Sequence, residues 1–367
     1  MEGMVKVDTF CWDEQKVLVT GHTGFKGSWL LLWLLSLGAV VCGYSDKYEK
    51  NSLFHLLLKE KSISKNNEKW RHYQEDILNQ EKLKEVISLF QPTLVIHMAA
   101  QSIVRTSYKK PLETWNVNLY GTLNLLDALK INRNKCAVVI VTTDKVYQNR
   151  NSDKFFKEED KLGGYDPYSA SKAAVELAVS SWRDSFFNNK NDFADIKVAT
   201  ARAGNVIGGG DNAVDRIVPD VIRSILDKKP ITIRNPYSKR PWQHVLESLN
   251  GYLILGQRLL NDETNKIDCF NFGPNEINTK TVKELVHNIS NYWSTESIKI
   301  SCNDEPYEAE SLKLDISKSK KILNWQPHWD FDMTVEKTIN WYKNFYLNEK
   351  NAYSLCLDDI NDFMKYL

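Results

Sequence analysis

VLVTGHTGFKGSW, residues 17–29, is the stretch that decides the fold. A short β-branched run leads into Gly21, Gly24 and Gly27, and an apolar, helix-forming segment follows at once. Glycines at this spacing let the backbone turn tightly and approach a ligand closely. The amides opening the helix have no intrahelical partners, so they favour an anion such as a pyrophosphate. Strand, turn and helix in that order predict a dinucleotide site.

The same alternation continues outward. AVVCGY, TLVIHMAA, AVVIVTT and KVATARAGNVIG read as buried strands. SWLLLWLLSLG, QEKLKEVISLFQ, WNVNLYGTLNLLDALKIN and YSASKAAVELAVSSWRDSFF read as the helices between them. Strands without polar alternation, separated by helices, predict an α/β fold with a doubly wound parallel sheet covered on both faces. After Gly204 the rhythm changes to a glycine-rich loop and the helix IVPDVIRSILDKK, and KIDCFNFGP returns as one more strand of the first sheet. The expected organisation is a cofactor domain of residues 1–205 plus about 241–274. A smaller, discontinuous substrate domain takes about 206–240 plus 275–350, and 351–367 form a C-terminal helix. The polar stretches 59–70 and 149–164 are expected to be loops, the second a possible lid.

Composition narrows the function. With 48 Lys+Arg against 47 Asp+Glu there is no global field to draw nucleic acid or an anionic membrane. The longest apolar run, Ser28–Val41, has 14 residues and contains Gly38, too short to span a bilayer. The opening residues carry acids and no apolar run, so no signal peptide is expected. Six scattered cysteines without CxxC spacing predict free thiols in a reducing, cytoplasmic setting, with no metal site.

Two clusters carry the chemistry. VVIVTTDKVYQN (138–149) ends a strand with Thr143, Asp144 and Lys145 side by side, and YDPYSASK (165–172) places Tyr168 and Lys172 one helical turn apart. A phenol ionises near pH 10, so the adjacent ammonium and an oxidised cofactor are expected to lower the pKa of Tyr168. Thr143 then holds a substrate alcohol while Tyr168 takes its proton. At the end of the second strand Ser45 fills the slot that often carries a ribose-binding acid, and Asp46 follows one position late. No arginine stands at those two positions to receive a 2′-phosphate, which favours NAD over NADP. Asp76 and Ile77 either contact the adenine or open the next helix, and His97 reads as a core residue.

Taken in order, GxxGxxG, HMAAQS, the strand-end threonine, YSASK and RAGNVIG resemble the extended short-chain dehydrogenase/reductase superfamily, with its Rossmann-type sheet. More narrowly, VTGHTGFKGSWL, TTDKVY, GGYDPYSASK, RAGNVIGGGD, DRIVPD and RPWQHVLE, within residues 19–247, resemble CDP-glucose 4,6-dehydratases. That resemblance implies oxidation at sugar C4, loss of the C6 hydroxyl as water and return of hydride to C6. Such a reaction needs two groups more than a reductase does. Asp144 is expected to serve as acid at the C6 oxygen and Lys145 as base at C5, where related dTDP-glucose enzymes carry an acidic residue. The resemblance also implies NAD contacts from Gly21, Thr23, Gly24, Phe25, Lys26, Gly27, Ser45, Asp46, Asp76, Ile77, Ala99, Ala100, Gln101, Asn118, Tyr168 and Lys172. It places Asn205, Arg216 and Arg240 at the sugar diphosphate, with Ser102 and Arg105 approaching the same substrate. His244 either serves the substrate or packs beside Trp242. Helices 114–131 and 168–187 match the pair that joins subunits in this superfamily, implying a homodimer or homotetramer. An epimerase, another nucleotide-sugar dehydratase and a silent NAD-binding sensor stay open as alternatives at this point.

Overall fold

Period-two burial builds the sheet. In the strand Cys136–Val141, Ala137, Val139 and Val141 enter one hydrophobic cluster, while Cys136, Val138 and Ile140 enter another on the opposite face. A strand buried on both faces needs helices on both sides. The computed structural model describes residues 10–13, 15–60, 63, 68–149, 154–187, 195–261, 267–275, 279–294, 298–300 and 311–367.

The strands are β1 (Lys16–Thr20), β2 (Val40–Ser45), β3 (Trp70–Gln74), β4 (Leu94–His97), β5 (Cys136–Val141), β6 (Ile196–Ala203) and β7 (Val206–Ile207). They continue as β8 (Ile231–Ile233), β9 (Lys239–Pro241), β10 (Gln243–His244), β11 (Cys269–Phe272), β12 (Thr279–Thr281) and β13 (Ile298–Ile300). The helices are α1 (Phe25–Ser36), α2 (Leu53–Lys59), α3 (Gln80–Phe90), α4 (Val104–Lys109), α5 (Pro111–Trp115) and α6 (Gly121–Ala128). After them come α7 (Pro167–Trp182), α8 (Ile217–Leu226), α9 (Val245–Leu260), α10 (Val282–Tyr292), α11 (Phe331–Leu347) and α12 (Ala352–Met364).

Seven strands form one parallel sheet in the order β11-β6-β5-β4-β1-β2-β3. Strand order reverses between β1 and β4, which opens a crevice at their carboxyl ends. The remaining strands pair two by two as β10-β7, β12-β9 and β13-β8. Residues of both regions, among them Trp29, Val245, Trp341 and Ile360, share one hydrophobic cluster. No described helix is long and apolar enough to cross a membrane.

Helix starts follow local chemistry. Asp166 caps α7 by accepting from the Ser169 amide at 3.0 Å, with Pro167 in the first turn. Thr281 and Glu284 form a reciprocal capping box on α10. The C-terminal helix packs against α1, α2 and α11, and Glu60 accepts from the amides of Ala352 and Tyr353 at its start.

Three expectations change. KVATARAGNVIG is two strands rather than one, because the chain bends at Gly204 and at Asn205, whose φ is +35°. The helix expected from Trp115 onward is widened by a π-type turn at Asn116–Tyr120. The polar stretch WRHYQ supplies the outermost strand, β3. The five described cysteines are free, while Cys302 and residues 1–9 lie outside the described residues.

Helix α7 is fixed to the sheet by charge as well as by apolar packing. Glu176, 5 % exposed, accepts from Thr200 Oγ1 at 2.6 Å and from Arg202 Nε and Nη2 at 3.0 and 2.9 Å, with Thr142 Oγ1 a fourth donor. Removing one partner of a buried ion pair leaves the other uncompensated, at a cost of about 3–5 kcal/mol. Glu176→Gln is therefore expected to lower stability by roughly 3 kcal/mol in denaturant titration, and a change near zero would show that the pair does not hold the helix.

Candidate active site

A cleft of about 810 Å³ lies at the carboxyl ends of the sheet, lined from one side by the glycine loop and from the other by the region after Gly204. Gly21 has φ +73°, and a Cβ there would stand 2.7 Å from the amide nitrogen of Ala99. A Cβ on Gly27 would stand 2.2 Å from the Gly21 carbonyl oxygen. Only glycine permits this fold-back. No side chain caps α1, so its first amides remain available to an anion.

Thr23, Gly24, Phe25, Lys26, Ser45, Asp46, Asp76, Ile77, Ala99, Ala100 and Gln101 all line this cleft. Thr23 and Ser45 hydroxyls meet at 2.7 Å, tying the loop to the end of β2. Asp76 does not begin α3: its carboxylate accepts from the Leu78 amide, and Asn79 caps the helix. Asn118 stands behind the lining rather than in it. Its side chain accepts from the Gln101 amide at 2.9 Å and donates to the Gln101 carbonyl and to Ser171, so it holds Gln101 against α7. Lys26 Nζ donates to the Tyr252 hydroxyl at 3.0 Å. Burial, then the nearby Arg216 charge, pushes its pKa down to about 7 against an opposing pull from Asp144.

Thr143, Asp144, Lys145 and Tyr168 converge on the same cleft. Thr143 Oγ1 donates to Asp144 Oδ1 at 3.0 Å, and Thr143 also hydrogen-bonds the Tyr168 side chain. Lys145 Nζ lies 3.8 Å from Asp144 Oδ1, an ion pair that closes the strand end. The second carboxylate oxygen, Oδ2, is buried without a partner. Gly204 makes room for it, since a Cβ there would stand 2.0 Å away. A buried acceptor left open beside a hydroxyl and an amine is a group arranged to meet a ligand.

The expected depression of the Tyr168 pKa does not occur in the protein alone. Burial pushes it up to about 12, outweighing the Thr143 hydrogen bond. Lys172 is one turn away, yet its ammonium donates to the Val141 carbonyl at 3.1 Å. Burial and the Lys26 charge push Lys172 itself down to about 8. Lys172 thus sits behind Tyr168, outside the cleft lining.

The opposite wall carries the expected anion-binding groups. Asn205, Arg216 and Arg240 line it, and Arg216 bridges to Asp211 at 2.9 Å and to the hydroxyl of Ser102, a lining residue from the sheet side, at 2.9 Å. Arg240 is 3 % exposed and donates to the Lys239 carbonyl. Asp211, Asp215 and Arg234 share this wall and were not singled out from sequence, although the first two lie in the same GGGDNAVDR phrase as Arg216. His244 does not reach the cleft; it caps α9 and packs between Trp29 and Trp329. His97 is fully buried between Thr20 and Thr122.

Comparison with known proteins fits this geometry. Residues 18–338 match the family model described as GDP-mannose 4,6 dehydratase. The chain is 43 % identical over 362 residues, 98 % of both chains, to a CDP-glucose 4,6-dehydratase of Salmonella typhimurium. It is 26 % identical over 89 % of its length to a probable dTDP-glucose 4,6-dehydratase of Sinorhizobium fredii, covering 92 % of that protein. Among solved structures, the dTDP-glucose 4,6-dehydratase of Bacillus anthracis in complex with NAD superposes with a TM-score of 0.74 at 22 % identity, covering 91 % of this chain and 98 % of that one. With a glycine-cradled cleft, a Thr-Asp-Lys strand end and a match across most of its length, the chain belongs to the GDP-mannose 4,6 dehydratase family.

Proposed function

We propose that this protein is an NAD-dependent CDP-glucose 4,6-dehydratase, converting CDP-glucose to CDP-4-dehydro-6-deoxy-glucose. The observation that carries the reading is the placement of Asp144 and Lys145 in one cleft with Thr143 and Tyr168. The full-length similarity to the Salmonella enzyme supports the choice of nucleotide and sugar. The uncapped N-terminus of α1 and the close approach enforced at Gly21 and Gly27 fit a dinucleotide, held by the loop residues 21–27 with Ser45, Asp46, Asp76, Ile77 and residues 99–101. A bound NAD supplies reversible hydride chemistry.

The chain's own residues handle the protons. Thr143 holds the C4 hydroxyl and Tyr168 accepts its proton as C4 becomes a ketone. Transfer of a proton within the Lys145–Asp144 pair leaves a neutral amine and a carboxylic acid. The ketone acidifies C5–H, which the Lys145 amine removes, while Asp144 gives its proton to the departing C6 oxygen, so that water leaves. Lys145 returns its proton to C5, a bound NAD would supply the hydride that C6 receives, and the balance is the loss of one water. Asn205, Arg216 and Arg240 hold the diphosphate, and Ser102 borders it, because guanidinium groups match phosphate oxygens in charge and geometry. Lys172 positions Tyr168 electrostatically, and Asn118 positions Gln101.

Two features support further readings. Leu112, Tyr120 and Leu177 are exposed at 78, 58 and 65 % on or beside the helices expected at a subunit interface. Val175, on the same helix as Leu177, faces the core instead. The chain is accordingly read as a homo-oligomer, and a single-chain mass in sedimentation would contradict this. Free cysteines fit a cytoplasmic enzyme.

Lys145→Ala is expected to reduce formation of the dehydrated product about 100-fold or more, with binding of CDP-glucose retained. Unchanged product formation, followed by mass spectrometry, would remove Lys145 from the mechanism. For Lys172 the folded pKa of about 8 lies below the ordinary lysine value of 10.5, so burying its charged form opposes folding at neutral pH. This penalty is complete below pH 8 and fades as pH rises toward 10.5. Lys172→Met should therefore lose activity yet melt no lower than the parent at pH 7, with any gain shrinking in alkali. A marked drop in melting temperature at pH 7 would contradict this.

A further inference from the structure

One carboxylate in the cleft is gripped from both walls. Asp215 adopts φ +66°, one residue before Arg216. Arg105, on α4 beside the sheet, donates to it at 2.8 Å, and Arg234, just past β8 in the second region, donates at 3.1 Å. Both hydrogen bonds fall on Oδ1, leaving Oδ2 to accept from a ligand. The three side chains line the cleft and keep 24, 35 and 29 % of their surface for Asp215, Arg105 and Arg234 respectively. Burial works to raise the Asp215 pKa, but the two guanidinium hydrogen bonds hold it below the usual carboxylate range. The group is a fixed anion with a fixed cation beside it.

Its position suits the far end of the substrate. Arg216 acts electrostatically on Tyr168 and Lys26, so it stands toward the reacting centre. If the diphosphate lies on Arg216 and Arg240 with the sugar at Tyr168, the nucleoside runs the other way, and Asp215 and Arg234 are lining groups left to meet it. What meets the base there is an acceptor next to a donor.

Resting on the reading that the substrate is a CDP-sugar, we infer that Asp215, locked by Arg105 and Arg234, selects cytosine. Oδ2 accepts from the exocyclic amino group, and the Arg234 guanidinium donates to the ring acceptors beside it. Cytosine presents an amino donor where uracil and thymine present a carbonyl acceptor. A carboxylate facing that carbonyl oxygen would meet two acceptors with no proton between them, so the device rejects the wrong base as well as binding the right one.

The test compares the parent chain with Asp215→Asn, and with Asp215→Ala as a second variant. For each, kcat and KM are measured on CDP-glucose and UDP-glucose, and binding of CDP and UDP is measured by calorimetry. An asparagine amide can turn either atom to the base, so it loses the fixed polarity while keeping the size. The preference for CDP-glucose is expected to fall about tenfold to a hundredfold in both variants, mainly through KM, with the CDP/UDP binding ratio falling in parallel. That ratio does not depend on the fraction of folded protein. If Asp215 only ties the two walls together, both nucleotides weaken equally and the ratio stays put, which overturns the assignment. A parent chain that selects CDP while both variants keep that selection has the same meaning. A parent chain that dehydrates a different nucleotide sugar overturns the functional reading itself.

Discussion

Everything chemical in this protein depends on how α7 meets the carboxyl ends of β5 and β6. The Glu176 carboxylate gathers Thr142, Thr200 and Arg202 in a place water does not reach. Arg202 in turn donates to the Tyr147 hydroxyl and to the Glu158 carbonyl, so its guanidinium is well satisfied in the interior. Buried charges are tolerated only when they are paired and hydrogen-bonded. Because the geometry is fixed at Glu176, one turn beyond Lys172, the preceding residues of the helix come to rest in defined places. Lys172 reaches the Val141 carbonyl at the end of β5, and Tyr168 reaches Thr143 two residues later in the chain.

That anchoring has an electrostatic consequence. Lys26, Lys172 and Arg216 bring positive charge to a cleft whose buried carboxylates include Asp144 and Asp211. Two of these cations carry depressed pKa values because burial opposes charge and each feels another cation. The cations gathered locally at Lys26 and Arg216 are suited to a dianionic diphosphate, although acids line the same cleft. The Arg216 charge favours a phenolate at Tyr168, but burial outweighs it. Tyr168 is held neutral in the protein alone, and its activation depends on the charge that a bound cofactor brings.

Much of this was legible in the sequence, for identifiable reasons. Continuous apolar runs and glycine spacing are local signals, so the buried strands and the cradle at Gly21, Gly24 and Gly27 could be read directly. The Thr143–Lys145 and Tyr168–Lys172 clusters were visible because strand ends and helix turns bring near neighbours together. What local pattern could not supply was long-range pairing. Glu176 gave no sign of meeting Arg202, nor Asp215 of meeting Arg105 across the cleft. Strand β3 was missed because an outermost strand need not be apolar. Asn118 matched a family position but acts from behind Gln101. For Tyr168 the sequence shows the neighbouring ammonium and hides the desolvation that outweighs it in the protein alone.

The most direct measurement of the central claim uses CDP-glucose labelled with deuterium at C4, incubated with the protein and NAD and analysed by mass spectrometry and NMR. A 4,6-dehydratase built as described yields a product lacking one water, with the C4 deuterium now at C6. A product of unchanged mass, inverted at C4, would instead mean that Asp144 and Lys145 take no part in elimination and that the cleft performs epimerisation.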